Sequence, residues 1–359
     1  MAAPHNCNGG LTLIPIPDFE QMASELKAMI EEMGRHPDHN ETPVDIAPLI
    51  FGLHPSHERK VELTDKGING HDCVILGGGP GTDQMLMNLV WTVAHATGRH
   101  ARRMSILTPY FPHARSDIDE KEIVLAKLKM VHTLVAGQTG DSGYHRWVCV
   151  DPHARQISDI GDAGKVTPIY LTRRLLRFAL TEFAKHNRDE KYVLAFADDS
   201  SQKRYESAVT SVSRERGHEV DRVCAYKRRD MDGKSKIIAV VGDTTAVRGA
   251  TVLMFDDEID TGGSVVQLAT RLKEEFGARA VWACATHGVM SGDTNLRFLQ
   301  AHNDGIVERL ILSDTVPISN RPTMLGLVGQ GILTVFPCLD DLAWVIYRIH
   351  WDMSIRQMR

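Results

Sequence analysis

The sequence predicts an α/β protein of two domains, each built on a mainly parallel sheet. Short apolar runs alternate with helical patterns along the whole chain, the order that βα units impose. Polar clusters fall just past the ends of several apolar runs, the edge at which open α/β sheets bind ligands. The 359 residues are enough for two domains of ordinary size.

Strands are read at 11–14, 73–76, 104–107, 147–150, 192–197, 220–225, 237–241, 251–255, 280–285, 309–312 and 332–336. Each is a short apolar run, too short for a buried helix. Helices are read at 19–33, 83–97, 122–134, 171–186, 202–216, 264–276, 294–302 and 339–350. In these, apolar residues recur on one face, as in Met85, Leu89 and Val93, or Leu342, Val345, Ile346 and Ile349. The glycines Gly77, Gly78, Gly79 and Gly81 do not fit the spacing of a dinucleotide fingerprint, and no Lys-Ser/Thr follows for a P-loop. They read as the turn that starts the helix at Asp83. The polar, glycine-containing stretch 159–168 marks the boundary between a first domain, 1–165, and a second, 166–337.

A hydrophobic content of 43% and a charged content of 24% are those of a soluble globular chain. The net charge of −5 gives no reason to expect nucleic acid or an anionic membrane. No run approaches 18 apolar residues, and residues 1–10 lack the basic and apolar regions of a secretory signal. The 6 cysteines form no CxxC pair and several lie inside apolar runs, as reduced residues of a cytoplasmic protein would. The 17 histidines show no HExxH spacing.

The most informative segment runs from Val252 to Ser264. Val252-Leu253-Met254-Phe255 reads as a buried strand, followed by Asp256 and Asp257. The turn Asp260-Thr261-Gly262-Gly263-Ser264 then opens a helix with Val265, Leu268, Ala269, Leu272 and Phe276 on one face. Backbone N–H groups of such a glycine turn close around a phosphate, with the helix N-terminus behind it. The two carboxylates would repel that phosphate. They make sense if they grip ribose hydroxyls or a cation carried with it. A plain turn with an Asp cap is the simpler alternative.

Taken with other segments, this loop resembles the ribose-phosphate site of the phosphoribosyltransferase superfamily, and the chain resembles the ribose-phosphate pyrophosphokinases from about Leu49 to His350. The segments that carry the resemblance are Pro109 to Arg115, Asp151-Pro152-His153-Ala154-Arg155-Gln156, Phe196-Ala197-Asp198-Asp199 with Lys203-Arg204, Tyr226-Lys227-Arg228-Arg229, Thr286 to Gly292, and Asp314-Thr315-Val316-Pro317. The resemblance implies two similar phosphoribosyltransferase-type domains, with the C-terminal segment 338–359 returning to the first. It implies transfer of the β,γ-diphosphoryl group of ATP to the 1-hydroxyl of ribose 5-phosphate, with Mg²⁺ accompanying the nucleotide. It makes Lys227, Arg229 and His153 catalytic, and Glu58, Arg115 and Ser116 part of the ATP site. Ribose 5-phosphate falls to Asp256, Asp257, Asp260, Thr261, Gly262, Gly263 and Ser264, and metal binding to His153 and Asp198. A slip of one residue would select Asp199 in place of Asp198, and either could cap the next helix. It also implies a homo-oligomer with the ATP site at a subunit interface.

The chain departs from the family pattern in three places. Of the adenine segment, matched here by His54-Pro55-Ser56-His57-Glu58, only the Glu remains. Arg115 is followed by Ser116 where the family has Gln. The stretch Asp117-Ile118-Asp119-Glu120-Lys121-Glu122 carries four carboxylates where phosphate-activated relatives hold an anion, so activity is expected without inorganic phosphate. The charged stretch 227–236 suits a lid that orders over substrate, or an ordinary solvated hairpin. A phosphoribosyltransferase and a non-catalytic regulator of a partner synthetase are the competing functions. The paired α/β halves argue against the first, and the retained Lys227, Arg229 and His153 against the second.

Overall fold

Two sheets organise the chain, and each has its own core. The computed structural model describes residues 8–64, 67–79, 81–114, 124–153, 155–160, 165–186, 191–229 and 235–356. Its first compact unit comprises Met1–Tyr170, Thr315–Asn320 and Cys338–Arg359, and the second Leu171–Asp314 and Arg321–Pro337.

The first unit begins β1 (Leu11–Pro15), α1 (Glu20–Gly34), β2 (Val44–Ile46), β3 (Leu49–Leu53), β4 (Arg59–Leu63), β5 (Asp72–Leu76) and α2 (Asp83–Gly98). It continues β6 (Arg103–Thr108), α3 (Val124–Ala136), β7 (Arg146–Val150) and β8 (Val166–Ile169). Six strands form a wholly parallel sheet in the order β2-β1-β5-β6-β7-β8. β1 and β5 are buried along their whole length, which is why they read as unbroken runs rather than alternating ones. The boundary expected from sequence puts Val166–Ile169 in the second domain. It is instead the sixth strand of this sheet, pairing Trp147↔Val166 through Val150↔Ile169. Its Pro168 is tolerated because β8 is an edge strand. β3 and β4 stand apart as a two-stranded antiparallel ribbon. Trp147 anchors the core, donating through Nε1 to Thr108 Oγ1 at 2.8 Å with its ring against Phe111.

The glycine run after β5 is a packing device. A Cβ on Gly79 would lie 1.8 Å from the Tyr110 ring, so only a bare Cα fits there. Thr82 then caps α2 by accepting from the Met85 N–H.

The second unit holds α4 (Thr172–His186), β9 (Tyr192–Phe196), α5 (Asp199–Arg216), β10 (Arg222–Arg229), β11 (Ser235–Gly242), β12 (Thr251–Ile259) and α6 (Gly263–Glu274). Then come β13 (Ala280–Gly288), α7 (Thr294–Asn303), β14 (Arg309–Ser313), α8 (Pro322–Gly329) and β15 (Leu333–Phe336). The strand order is β11-β10-β9-β12-β13-β14-β15, parallel except for β11, which pairs antiparallel to β10 at one edge. Phe196, Tyr205 and Phe255 cluster in its core, and Phe183 packs edge-on against Trp282.

The last helix, α9 (Leu339–His350), belongs to the first unit and lies against α1. Its apolar stripe Leu342, Val345, Ile346 and Ile349 is buried, as are Met22, Leu26 and Ile30 of α1. A polar knot fixes its end. Asp72 accepts from Arg103 Nε at 3.0 Å, from Arg103 Nη2 at 2.6 Å and from His350 Nδ1 at 2.8 Å. Arg103 also reaches Asp352 at 2.5 Å.

Candidate active site at the carboxyl edge of the second sheet

β9 and β12 are neighbours at the middle of the second sheet, in register from Thr251↔Tyr192 to Phe255↔Phe196. From β9 the chain crosses to β10 on one side, and from β12 to β13 on the other. Their connections therefore part, and a crevice opens at their carboxyl ends, the position where such sheets bind ligands. Asp198 follows β9 there. Asp256 and Asp257 lie within β12, which does not stop at Phe255 as the apolar run implied. The ladder to β13 continues through Glu258↔His287 and Ile259↔Gly288. Backbone pairing carries the strand across its three carboxylates to the buried Ile259.

Helix α5 wires these carboxylates together. Asp198 is its N-cap: Oδ1 accepts from the Ser201 N–H at 2.9 Å. The Ser201 hydroxyl lies 3.0 Å from the same Asp198 oxygen and 2.7 Å from Asp256 Oδ1. Arg204, one turn on, places Nη2 3.3 Å from Asp257 Oδ2. Lys227 closes the cluster, its Nζ 3.4 Å from Asp198 Oδ2. Asp199, the alternative to Asp198, pairs instead with Lys203 at 2.7 Å on the exposed side of the helix. Asp256 keeps some accessible surface, yet its carboxyl is set among protein atoms. That desolvation pushes its pKa well above the ordinary carboxylate range, and the neighbouring charge of Asp257 pushes the same way.

The turn after β12 has the geometry the glycines suggested. Gly262 is left-handed at φ 69°, and a Cβ there would lie 2.6 Å from Phe298 Cε2. α6 begins at Gly263 with no side-chain cap, so the N–H groups of its first turn stay uncommitted to such a cap. The turn is buttressed from the next connection. Thr294 Oγ1 donates to Asp260 O at 2.8 Å, the Ser291 N–H donates to the same carbonyl at 3.2 Å, and Arg297 donates to Thr261 O. Arg321 in turn holds the carbonyls of Gly288, Val289 and Met290. Thr261 and Gly263 are exposed, while Asp260 and Ser264 are partly so.

Lys227 and Arg229 do not sit in a loop. Both are ladder residues of β10, paired Lys227↔Ile237 and Arg229↔Ser235. The ladder needs backbone partners rather than apolar side chains, so its charged composition read as loop. The register slips between Tyr226 and Lys227, leaving Ile238 as an extra residue on β11. Tyr226 faces outward and Lys227 reaches Asp198.

The other sequence-derived candidates belong to the first unit. His153 follows β7, where Asp151 is buried at φ 35° and its N–H donates to Ile169 O at 2.8 Å. Glu58 is exposed in the tight turn between β3 and β4, its backbone O accepting from the His54 N–H at 2.9 Å. Arg115, Ser116 and the acidic stretch 117–122 lie outside the described residues.

The phosphoribosyl synthetase-associated domain matches residues 189–355. A ribose-phosphate pyrophosphokinase of Campylobacter jejuni is 28% identical over 82% of this chain and 85% of its own length. One from a Nostoc species is 30% identical over 88% of this chain and 87% of its own. The chain belongs to the ribose-phosphate pyrophosphokinase family. The crystal structure of a phosphoribosylpyrophosphate synthetase from Mycobacterium smegmatis shares the fold, with a TM-score of 0.73 at 23% identity over 96% of this chain and 99% of that one.

The structure also gives a place to side chains to which the sequence assigned no role, Arg204 of the Lys203-Arg204 segment among them. Ser201, Arg204, Arg297 and Arg321 all support the acidic pair or the turn after it. The first two stand at Asp198 + 3 and + 6, on the helix face turned to β12. That spacing is a sequence signal for both, and Arg204 also lies in the Lys203-Arg204 segment. Among the described residues, no three His, Cys, Asp or Glu side chains gather as a ready-made metal cage, and no helix is long and apolar enough to cross a membrane. Cys73, Cys149, Cys224 and Cys284 are free and buried, and Cys338 is buried as well. Burial pushes the thiols of Cys73 and Cys149 up to about 12.

Proposed function

We propose that this chain is a ribose-phosphate diphosphokinase. It moves the β,γ-diphosphoryl group of ATP onto the 1-hydroxyl of ribose 5-phosphate and releases AMP. The observation that carries the reading is the union of the acidic pair and the open glycine turn at the sheet's switch point, with Lys227 beside them. The turn and the first N–H groups of α6 receive the 5-phosphate, through Asp260, Thr261, Gly262, Gly263 and Ser264. Asp256 and Asp257 accept from ribose hydroxyls. Lys227 and Arg229 neutralise charge on the transferring phosphoryl oxygens, the larger part of catalysis in such reactions. Glu58, Arg115 and Ser116 serve ATP, and His153 acts on its phosphate side.

Asp198 and Asp256 offer only oxygen donors, linked through the Ser201 hydroxyl, a set that suits a hard cation such as Mg²⁺. Asp198 would hold the ion and His153 would contact it directly or through water. When bound, the ion spreads the charge of the phosphoryl oxygens. The working form is a homo-oligomer in the cytoplasm, with the ATP site completed across a subunit interface. Inorganic phosphate is not required.

The deciding assay is AMP release from ATP that depends on ribose 5-phosphate, run without inorganic phosphate. Robust release supports the activity and its independence of phosphate. Release only after phosphate is added refutes phosphate independence. Sugar phosphate binding with no AMP formed makes the chain a non-catalytic member.

A further inference from the structure

We propose that Ser201 and Arg204 are positioning residues that set the enzyme's selectivity for the sugar's 2,3-diol, each by fixing the direction of one carboxylate. The inference rests on the reading of Asp256 and Asp257 as the ribose contacts. It adds two residues that touch neither phosphate nor nucleotide in that reading.

Ser201 and Arg204 are one helical turn apart on the face of α5 turned toward β12, and each meets a different acid. Asp256 Oδ1 is held from two sides, by the Ser201 hydroxyl at 2.7 Å and by the Asp257 N–H at 3.0 Å. Asp257 is held at both oxygens. Oδ1 accepts from the Glu258 N–H at 3.0 Å, and Oδ2 faces the Arg204 guanidinium at 3.3 Å. Ser201 is buried and the Arg204 side chain is 17% exposed, so neither contact is a loose surface pairing. Tyr205, the next residue on the same face, sits under the β12 backbone at Asp256.

A carboxylate that turns freely about its terminal torsion accepts from a hydroxyl over a wide arc. Held on one side, it presents its remaining lone pairs in one direction and rewards a hydroxyl only at that place. Two such groups on consecutive strand residues would otherwise point to opposite faces. Separate tethers from one helix bring the two carboxylates under common control, as recognition of adjacent hydroxyls demands. Arg204 has a second effect. Its charge offsets one of two adjacent negative charges at a site that must also admit a phosphate. Selection by a site built to hydrogen-bond a hydroxyl is steep, because the analogue that lacks the hydroxyl leaves the site's polar groups unpaired.

The test compares ribose 5-phosphate with its 2-deoxy and 3-deoxy analogues, by kcat/KM and by binding measured as protection against thermal unfolding. The variants are Ser201→Ala, Arg204→Met and Arg204→Lys, with Asp256→Asn and Asp257→Asn as controls. The expected result is that Ser201→Ala lowers discrimination against one deoxy analogue about tenfold and Arg204→Met lowers it against the other, with KM for ribose 5-phosphate raised more than kcat is reduced. Arg204→Lys keeps the charge without the rigid fork, so it restores part of the affinity and little of the selectivity. It also stands in if Arg204→Met does not fold. Unchanged discrimination in folded Ser201 and Arg204 variants, beside Asp controls that do lose it, overturns the proposal and leaves these residues as helix-to-strand packing. If the Asp controls bind the sugar phosphates as the parent does, it is the ribose assignment that fails.

Discussion

Replacing Asp72 by Asn should selectively unfasten the first unit. The carboxylate is 1% exposed and accepts three hydrogen bonds, two from Arg103 and one from His350. Asn keeps the shape and removes the charge. Arg103, whose side chain is 13% exposed, would keep Asp352 as a charged partner, with backbone carbonyls and a neutral amide oxygen beside it. Breaking one side of a buried ion pair in this way costs about 3–5 kcal/mol. For a unit of this size that is a fall in Tm of roughly 6–20 °C. Exposed pairs give the contrast: Glu215→Gln, which breaks a contact with Arg177 where both side chains are about half exposed, should cost at most about 1 kcal/mol.

The pH dependence supplies a second check on the same variant. Burial alone would raise the Asp72 pKa, but the hydrogen bonds from His350 and Arg103 and their charges outweigh it and hold the carboxyl below its ordinary range. A depressed acid contributes stability that is present above its unfolded pKa and is lost as pH falls through its folded pKa. The gap between parent and variant should therefore be constant near neutrality and close below about pH 4. Calorimetry from pH 7 to pH 3 measures it. A loss under about 1 kcal/mol, or a gap that does not narrow toward the acid end, would refute the argument that this buried charge fastens α9.

Other outcomes follow from the second unit. Asp256→Asn should stabilise the protein at pH 7 while weakening sugar phosphate binding. Because the folded-state pKa of Asp256 is raised, its contribution is full below the unfolded pKa and is lost as pH climbs from there through the folded pKa, by about 1.4 kcal/mol for each tenfold fall in proton concentration; equal Tm values at pH 7 would contradict this. Gly262→Ala should cost about 2–4 kcal/mol, from the positive φ and a Cβ 2.6 Å from Phe298, and a melt unchanged from the parent would refute it. Lys227→Ala should lower kcat about 10²–10³-fold with KM for ribose 5-phosphate changed only slightly, and a change confined to KM would refute its role.

Most of the fold was legible because parallel strands buried on both faces announce themselves as apolar runs. What escaped lacks that signature. Arg59-Lys60-Val61-Glu62-Leu63 forms half of a ribbon outside the main sheet, and Glu62 and Lys60 pair with each other at its surface. Val166-Thr167-Pro168-Ile169 carries a proline that argues against a strand anywhere but at an edge. α8 holds two glycines in eight residues and draws its helicity from its place beside β15. In the candidate site, the acids and the glycine turn were visible because their residue types are unusual in that order. The roles of Ser201 and Arg204 were not, since a Ser on a polar helix has no distinguishing composition and the Lys203-Arg204 segment does not say which carboxylate its Arg meets. Only the register between α5 and β12 gives them partners. Lys227 was noticed, but charge alone could not distinguish a strand at the sheet's margin from a loop.

The return of α9 also sets an order of events during synthesis. Roughly 170 residues separate Tyr170 from Cys338, and at roughly 5–20 residues per second the ribosome needs on the order of ten to thirty seconds to make them. Through that interval the inner face of α1 and the Asp72–Arg103 pair exist without the helix that covers them. The unit made first is therefore the unit finished last, and the inserted second unit can complete its core before the first is closed. A nascent chain stalled near its end would display an apolar groove near its beginning, a substrate for chaperones. Loss of the final twenty or so residues would be felt in the sheet that starts at Leu11 rather than in the strands the chain has just left.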